Sequence, residues 1–358
     1  MRPLSSGICE YCGVPNIWAK NSVLDGDNTS LQKMIPMRGV FYEVEEISRL
    51  VEGLERELGI PLTSIIFTAH KRAVKRFFQG TLEGVTGALA RAAVPGAIFK
   101  QQARVAPSFG VGTMSVAAYE RGSRVVVEAS NVWHERLFAA DVAGAFEAVE
   151  RSECEVDFQR VGDGFRFVAQ KNGGEREEYR NRLLPMTGTL MGTPEYPRCH
   201  ECGSPVSFQV FRWDRDLGTI TERDNGQRVV HQTIACFDSM LQEMVDELGE
   251  EMRELAVRVH ADYVREKVSS GVYDAGGEAA GDTDRRLFDY LSLIRRRCMG
   301  NPILIDLTGE ELRVNIRNPA NEELLVGRVL GTYEAVMGTR ASARGELSGR
   351  MLRVGVRS

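Results

Sequence analysis

Slid along itself by 190 residues, the sequence meets its own beginning again. Cys9, Cys12, Gly13 and Pro15 fall on Cys199, Cys202, Gly203 and Pro205; without a gap, Glu57-Leu58-Gly59 falls on Glu247-Leu248-Gly249, His70 on His260 and Val74 on Val264. Farther on the offset is 187: Gly122, Val127, Asn131, Glu135 and Leu137 meet Gly309, Val314, Asn318, Glu322 and Leu324, and the matches run on to Gly162 and Arg166 on Gly349 and Arg353. Over positions 122 to 166 there are 12 identities in 45, against roughly two or three expected by chance. The division this predicts is a first module at 1–171, a linker at 172–198 containing Gly173-Gly174, Pro185, Pro194 and Pro197, and a second module at 199–358. Homologous modules in one chain are expected to pack about a pseudo-twofold axis, because both inherit the same self-complementary surface.

Each copy reads as the same string of elements. Polar turns follow the cysteine pair, Leu24 to Asn28 in one copy and Leu217-Gly218 with Asp224-Asn225-Gly226 in the other. Apolar residues at helical spacing then predict helices over Val44 to Leu58 and Phe237 to Leu248, each ending at a glycine, and over Thr63 to Phe78 and Met252 to Val268. A third helical section covers Val85 to Ala106 and Arg285 to Arg297. The period then changes: a hairpin turning at Gly122 or Gly309, a helix over Glu135 to Val149 or Glu322 to Val336, and a last hairpin around Gly162 or Gly349. The fold class expected is α+β, two tandem modules, each a helical layer with two β-hairpins.

This order resembles the 4-vinyl-reductase domain. The likeness rests on Glu57-Leu58-Gly59 leading into Ile65-Ile66-Phe67-Thr68-Ala69-His70-Lys71-Arg72-Ala73, and on Val125-Val126-Val127-Glu128 running through Phe138 to Glu147 into a glycine-centred hairpin. The resemblance spans about 110 residues of each copy and leaves out the cysteine pairs. It implies a binding fold, related to the small TRAPP tethering subunits and similar in outline to haem/nitric-oxide sensors, whose members serve as small-molecule-sensing modules, as adaptors and in bacteriochlorophyll synthesis. Some members carry zinc-binding cysteines near the last hairpin; here Phe158 and Arg166 stand there, with only Cys154 nearby, so that site is not carried over.

Cys9-Glu10-Tyr11-Cys12-Gly13 and Cys199-His200-Glu201-Cys202-Gly203 are zinc-knuckle turns, in which two intervening residues aim both thiolates at one ion. One knuckle supplies two ligands and a structural zinc takes four. The economical solution is one zinc on the pseudo-twofold axis, held by Cys9, Cys12, Cys199 and Cys202; separate sites completed by His70 or His231, a redox pair, and vestigial knuckles are the alternatives. A closed four-thiolate site has no open position for substrate, so the zinc is expected to be structural. His70 and His260, equivalent positions on the second helix, are the candidates for a ligand-contacting role. Trp133-His134 belongs to the first copy alone, and the clusters Arg295-Arg296-Arg297 and Lys71-Arg72 with Lys75-Arg76 read as solvated helix faces.

The sequence contains no nucleophile elbow, P-loop or HExxH pattern, so no catalytic residues are assigned and the chain is read as leaning away from an enzyme. With 45 Lys+Arg against 50 Asp+Glu, a nucleic-acid partner is not expected. No apolar run reaches a membrane span and the start lacks a signal-peptide core, which makes the expected location cytoplasmic. The leading expectation is a zinc-containing small-molecule-binding or sensory protein with a hydrophobic ligand. An adaptor or assembly factor with a protein partner, and an auxiliary protein or reductase for a hydrophobic or tetrapyrrole substrate, are the alternatives.

Overall fold

A computed structural model describes residues 7–24, 30–32, 37–172, 197–273 and 282–358. Asp25 to Asn28 of the first turn, and residues 173–196 of the linker, lie outside them. After the first knuckle come α1 (Asn16–Asn21), β1 (Ser22–Leu24), β2 (Ser30–Gln32), β3 (Arg38–Glu43), α2 (Val44–Leu58), α3 (Thr63–Thr81), α4 (Gly84–Ala93), α5 (Pro95–Val105), β4 (Thr113–Glu120), β5 (Arg124–Ser130), α6 (Glu135–Glu150), β6 (Cys154–Val161) and β7 (Gly164–Lys171). After the second come β8 (Phe211–Asp214), β9 (Thr219–Glu222), β10 (Arg228–Thr233), α7 (Ile234–Leu248), α8 (Glu251–Ser269), α9 (Thr283–Arg296), β11 (Asn301–Thr308), β12 (Glu311–Arg317), α10 (Glu322–Met337), β13 (Ser342–Ser348) and β14 (Met351–Arg357).

The helical section expected over Val85 to Ala106 is broken in two. Pro95 cannot continue a helix from Val94 and forces it out of helical geometry, φ −141° and ψ 52°, while serving as a good first residue for α5. The two hairpins of each half are also not separate. Their inner strands pair, Arg124 with Gln170 through Ser130 with Gly164, giving one sheet of order β4-β5-β7-β6, repeated as β11-β12-β14-β13. The apolar run of α6 lies between this sheet and α3, which is why nearly every residue from Leu137 to Val149 is buried. Gly144 allows the helices to touch: a Cβ there would sit 2.6 Å from the Lys71 carbonyl oxygen, and one at Gly331 of α10 would sit 2.3 Å from that of Ala261 on α8.

A third sheet, β1-β2-β3-β10-β9-β8, joins the halves. At its centre β3 and β10 run antiparallel with Phe41 opposite His231, two positions related by the 190-residue offset. The flanking pairs, Tyr42 with Val230 and Val40 with Gln232, exchange under the same offset. The pseudo-twofold axis therefore passes through the Phe41/His231 pair, where Trp18, Phe41, Phe208, Phe211 and His231 form an aromatic cluster.

Because β3 and β10 reach the axis just before α2 and α7 begin, each of these helices lands on the other half. α2 lies along α8, where Gly53 admits Val259, and α7 lies along α3, joined by Arg72 to Glu243 at 3.0 Å. Each half thus lends one helix to the other. The basic clusters are not solvated faces throughout either. Arg297 is fully buried, and Lys71 and Lys75 both close on the buried Glu147 at 2.9 and 2.8 Å.

Candidate functional site

The two knuckles meet. Each closes in the same way, Gly13 N–H on the Cys9 carbonyl and Gly203 N–H on that of Cys199, both at 2.8 Å and with the glycines at φ +73° and +74°. The Sγ atoms of Cys9 and Cys199 stand 4.0 Å apart, those of Cys12 and Cys202 3.5 Å, and all four lie within 4.8 Å of one another. A tetrahedral ion with sulfur at about 2.3 Å would require sulfur–sulfur edges of about 3.8 Å. The four cysteines are therefore placed to bind one metal ion. Electrostatics agree with the geometry: burial and the neighbouring thiols push Cys12 well above its ordinary pKa, whereas the backbone N–H of Cys202 draws Cys199 down to about 7. Four sulfurs this close become anionic together only around a cation. Neither His70 nor His231 joins the cluster, which is the only such group among the described residues.

His70 and His260 lie elsewhere, in two sites related by the axis but built from different chemistry. Each site takes a histidine from one helix (α3 or α8), a residue six places after the first of the helix packed on it (Asp141 of α6 or Arg328 of α10), and the start of the helix borrowed from the other half. In the first site those borrowed residues are Thr233 and Cys236, and in the second they are Glu43 and Glu46, at the 190-residue offset. Phe109 and Arg297, each four residues before the first strand of the sheet, complete the comparison.

The first site contains a cavity of about 230 Å³. Its wall is largely apolar and includes Phe77, Phe78, Phe99, Phe109 and Phe138, with Val142 and Ala145 from α6; its polar groups are few and include Asp141, Gln232, Thr233 and His231. Burial lowers His231 to about 3, so it is neutral. Beside the cavity His70, fully buried, has Nε2 2.8 Å from Asp141 Oδ1, while the Trp133 indole N–H donates to Asp141 Oδ2 at 3.3 Å. Burial opposes charge on His70, but Cys236 and Asp141 beside it outweigh burial and raise it to about 10. His134 caps α6, its Nδ1 accepting from the Leu137 N–H; burial and the His70 charge lower it to about 4.

In the second site the same space holds paired charges. Glu46 Oε1 accepts from His260 Nε2 and Arg328 Nη2, both at 2.5 Å. Arg297 grips Glu222 with two bonds of 2.9 Å and also pairs with Glu43, which in turn accepts from the hydroxyls of Tyr263 and Tyr273 at 2.5 and 2.7 Å. Every one of these carboxylates and guanidinium groups is buried. Burial alone would raise the Glu46 carboxyl, but Arg328 and His260 hold it well below the ordinary carboxylate range; Arg297 does the same for Glu222.

No family model matches the chain, and no curated protein matches it. Among solved structures it is similar to the phenol-responsive sensory domain of the transcription activator PoxR, with phenol, at a TM-score of 0.34 and 15% identity, the match covering 42% of this chain and 85% of that one. Sequence reasoning missed Asp141, Cys236 and, in the second site, the charged partners that surround His260. The repeat did contain the signal, since Asp141/Arg328 and Cys236/Glu46 are positions where equivalent helices differ in chemistry.

Proposed function

We propose that the chain is a duplicated small-molecule-binding protein of the sensory type, fastened at its axis by one structural zinc ion and holding its ligand in the first site. The division at 1–171 and 199–358, with the linker between, is part of this reading, supported by an element order that matches from β3 and β10 onward, apart from α4 and α5 standing where the second half has α9, and by a central register that maps onto itself. Zinc is the metal that suits four thiolates in a closed tetrahedron, and Cys9, Cys12, Cys199 and Cys202 would hold it. Its contribution is to tie the start of each half to the other, with no position left for chemistry.

The observation that carries the ligand reading is the cavity: an apolar wall rich in aromatic residues with a few polar groups is the usual make-up of a small-molecule site. Its size suits a compact ring compound. The histidine candidates then divide: His70 stands behind the ligand site, bonded to the cavity-lining Asp141, whereas His260 is locked to Glu46, which also pairs with Arg328. Thermal-shift screening of one- and two-ring aromatic compounds, followed by calorimetry of the hits, tests this. One ligand per chain is expected, lost in Ala145→Phe, which fills the cavity. Hits that bind the filled variant as well as the wild type would overturn it.

A further inference from the structure

The outer sheets of the two halves share a strand order and carry opposite charge. α6 and α10 cover one face of each, and the strand residues that alternate with the buried ones stand on the other. On β4-β5-β7-β6 that outer face has Glu120, Glu128, Glu155 and Asp157, with Asp163 at the last turn, against Arg124, Arg166 and the turn residue Arg121. On β11-β12-β14-β13 it has Arg313, Arg317, Arg344, Arg353 and Arg357, with Arg350 at the last turn, against Asp306, Glu311, Glu346 and the turn residue Glu310. The first face is therefore acidic and the second basic.

The opposition is sharpest along one edge. At the 187-residue offset Asp157 falls on Arg344 and Asp163 on Arg350, while Val126, Ser130 and Gln170 fall on Arg313, Arg317 and Arg357. Some of these charges already have partners within their own face: Glu120 holds Arg124 at 2.5 Å, Glu128 holds Arg166 at 2.6 Å, and Glu311 serves both Arg313 and Arg357. Asp157 and Asp163 on the first face, and Arg344, Arg350 and Arg353 on the second, are exposed or at the rim and have no ion pair among the described residues. The faces also differ in relief. Val126 and Val168 pair across β5 and β7 and raise an apolar ridge in the middle of the first face. Arg313 and Gly355 stand at those places on the second, and nothing lies within 4 Å of where a Gly355 Cβ would be.

We propose that the chain associates head to tail with a second copy of itself, the acidic sheet face of one copy docking on the basic sheet face of the next. A face set against its own kind brings like charges together, so the contact is heterologous and each copy keeps one face for a further neighbour. The valine ridge fits the bare strip at Gly355, flanked by the apolar stems of arginines, and the unpaired aspartates supply what the unpaired arginines lack. With strands about 4.8 Å apart, each face covers about 450 Å², or roughly 900 Å² for both partners, whereas stable complexes bury about 1,200–2,000 Å². The association is therefore weak, and it depends on concentration and on salt.

Sedimentation velocity of the full chain tests this. At low salt the assembly should grow as the protein is concentrated, and at about 500 mM salt it should return to the monomer. Asp157→Lys with Asp163→Lys, and separately Arg344→Glu with Arg350→Glu, should each weaken association at least about tenfold. These residues are exposed and bonded to nothing else, so both variants should melt as the wild type does. Mixed in equal amounts, the two variants should associate again, because each keeps the face that the other has lost; a contact between like faces would not recover. A chain that remains monomeric at every concentration and salt overturns the proposal, and so do variants that fail to complement each other. A monomeric chain that binds a single-stranded oligonucleotide, and loses it in Arg344→Glu with Arg350→Glu, overturns it in favour of a nucleic-acid partner.

Discussion

The two axis-related sites have the same backbone and opposite contents. Where the first has Phe109, Asp141, Thr233 and Cys236, the second has Arg297, Arg328, Glu43 and Glu46, and the difference is that between a cavity and a packed ionic network. The lesson is one of division of labour. A buried ion pair adds little net stability over a well-packed apolar equivalent, yet losing one partner is very costly, so the second site commits its interior to a fixed arrangement. The first leaves its interior unfilled and keeps a thiol and an imidazole at the edge.

The four-cysteine cluster is where the halves contribute equally, and it provides the largest expected effect. Elemental analysis should give one zinc per chain, and Cys9→Ser with Cys12→Ser should reduce it to none; a count falling from two to one would mean that each half has its own ion. Loss of a structural zinc removes on the order of 10 kcal/mol of binding free energy, so the double variant should melt tens of degrees lower or not fold.

Next in size is the ionic network. Arg297→Met leaves Glu222 and Glu43 buried without their cation and should cost about 3–5 kcal/mol in denaturant unfolding. The equivalent change in the first site, Phe109→Met, keeps an apolar group of similar size and should cost less than about 1.5 kcal/mol. Equal losses would mean that the sites differ less than their residues suggest.

The sites should also respond to pH in opposite directions. Glu46 has a folded pKa below its unfolded value, so its contribution is complete above about 4.5 and drains away as pH falls below that. His70 has a folded value raised to about 10 from 6.5, so its contribution is complete below 6.5 and is lost as pH rises toward 10. Melting temperature against pH should therefore show an acid limb that flattens in Glu46→Gln and an alkaline limb that flattens in His70→Gln.

Much of this architecture is legible in the sequence, for a physical reason. A repeat reports backbone geometry, and the residues that repeat most faithfully are those with a special backbone role: Gly13 and Gly203 in the knuckles, Asn131 and Asn318 at φ +52° and +49° before equivalent helices. Helical periodicity likewise shows which face of α2 is buried. It does not say against what, and α2 lying on α8 rather than α3 follows only from where β3 meets β10 at the axis. The burial of Arg297 was hidden for the same reason. Next to Arg295 and Arg296 it reads as part of a solvated stripe, and its partners Glu222 and Glu43 are 75 and 254 residues away in the chain. Asp141 likewise gains its role only where α6 packs on α3 and brings it to His70, 71 residues away in the chain.

The smallest expected effect is the most discriminating. Ala145 borders the cavity and Thr332, fully buried, holds the equivalent position on α10. Ala145→Leu places a larger apolar side chain in empty space, so the protein should gain up to about 1 kcal/mol while losing its ligand. Thr332→Leu adds bulk where charged side chains already occupy the interior, and should cost about 1–3 kcal/mol. The sign of the difference matters more than its size: if both substitutions destabilise alike, the first site is as tightly filled as the second, and it is not the place where a ligand binds.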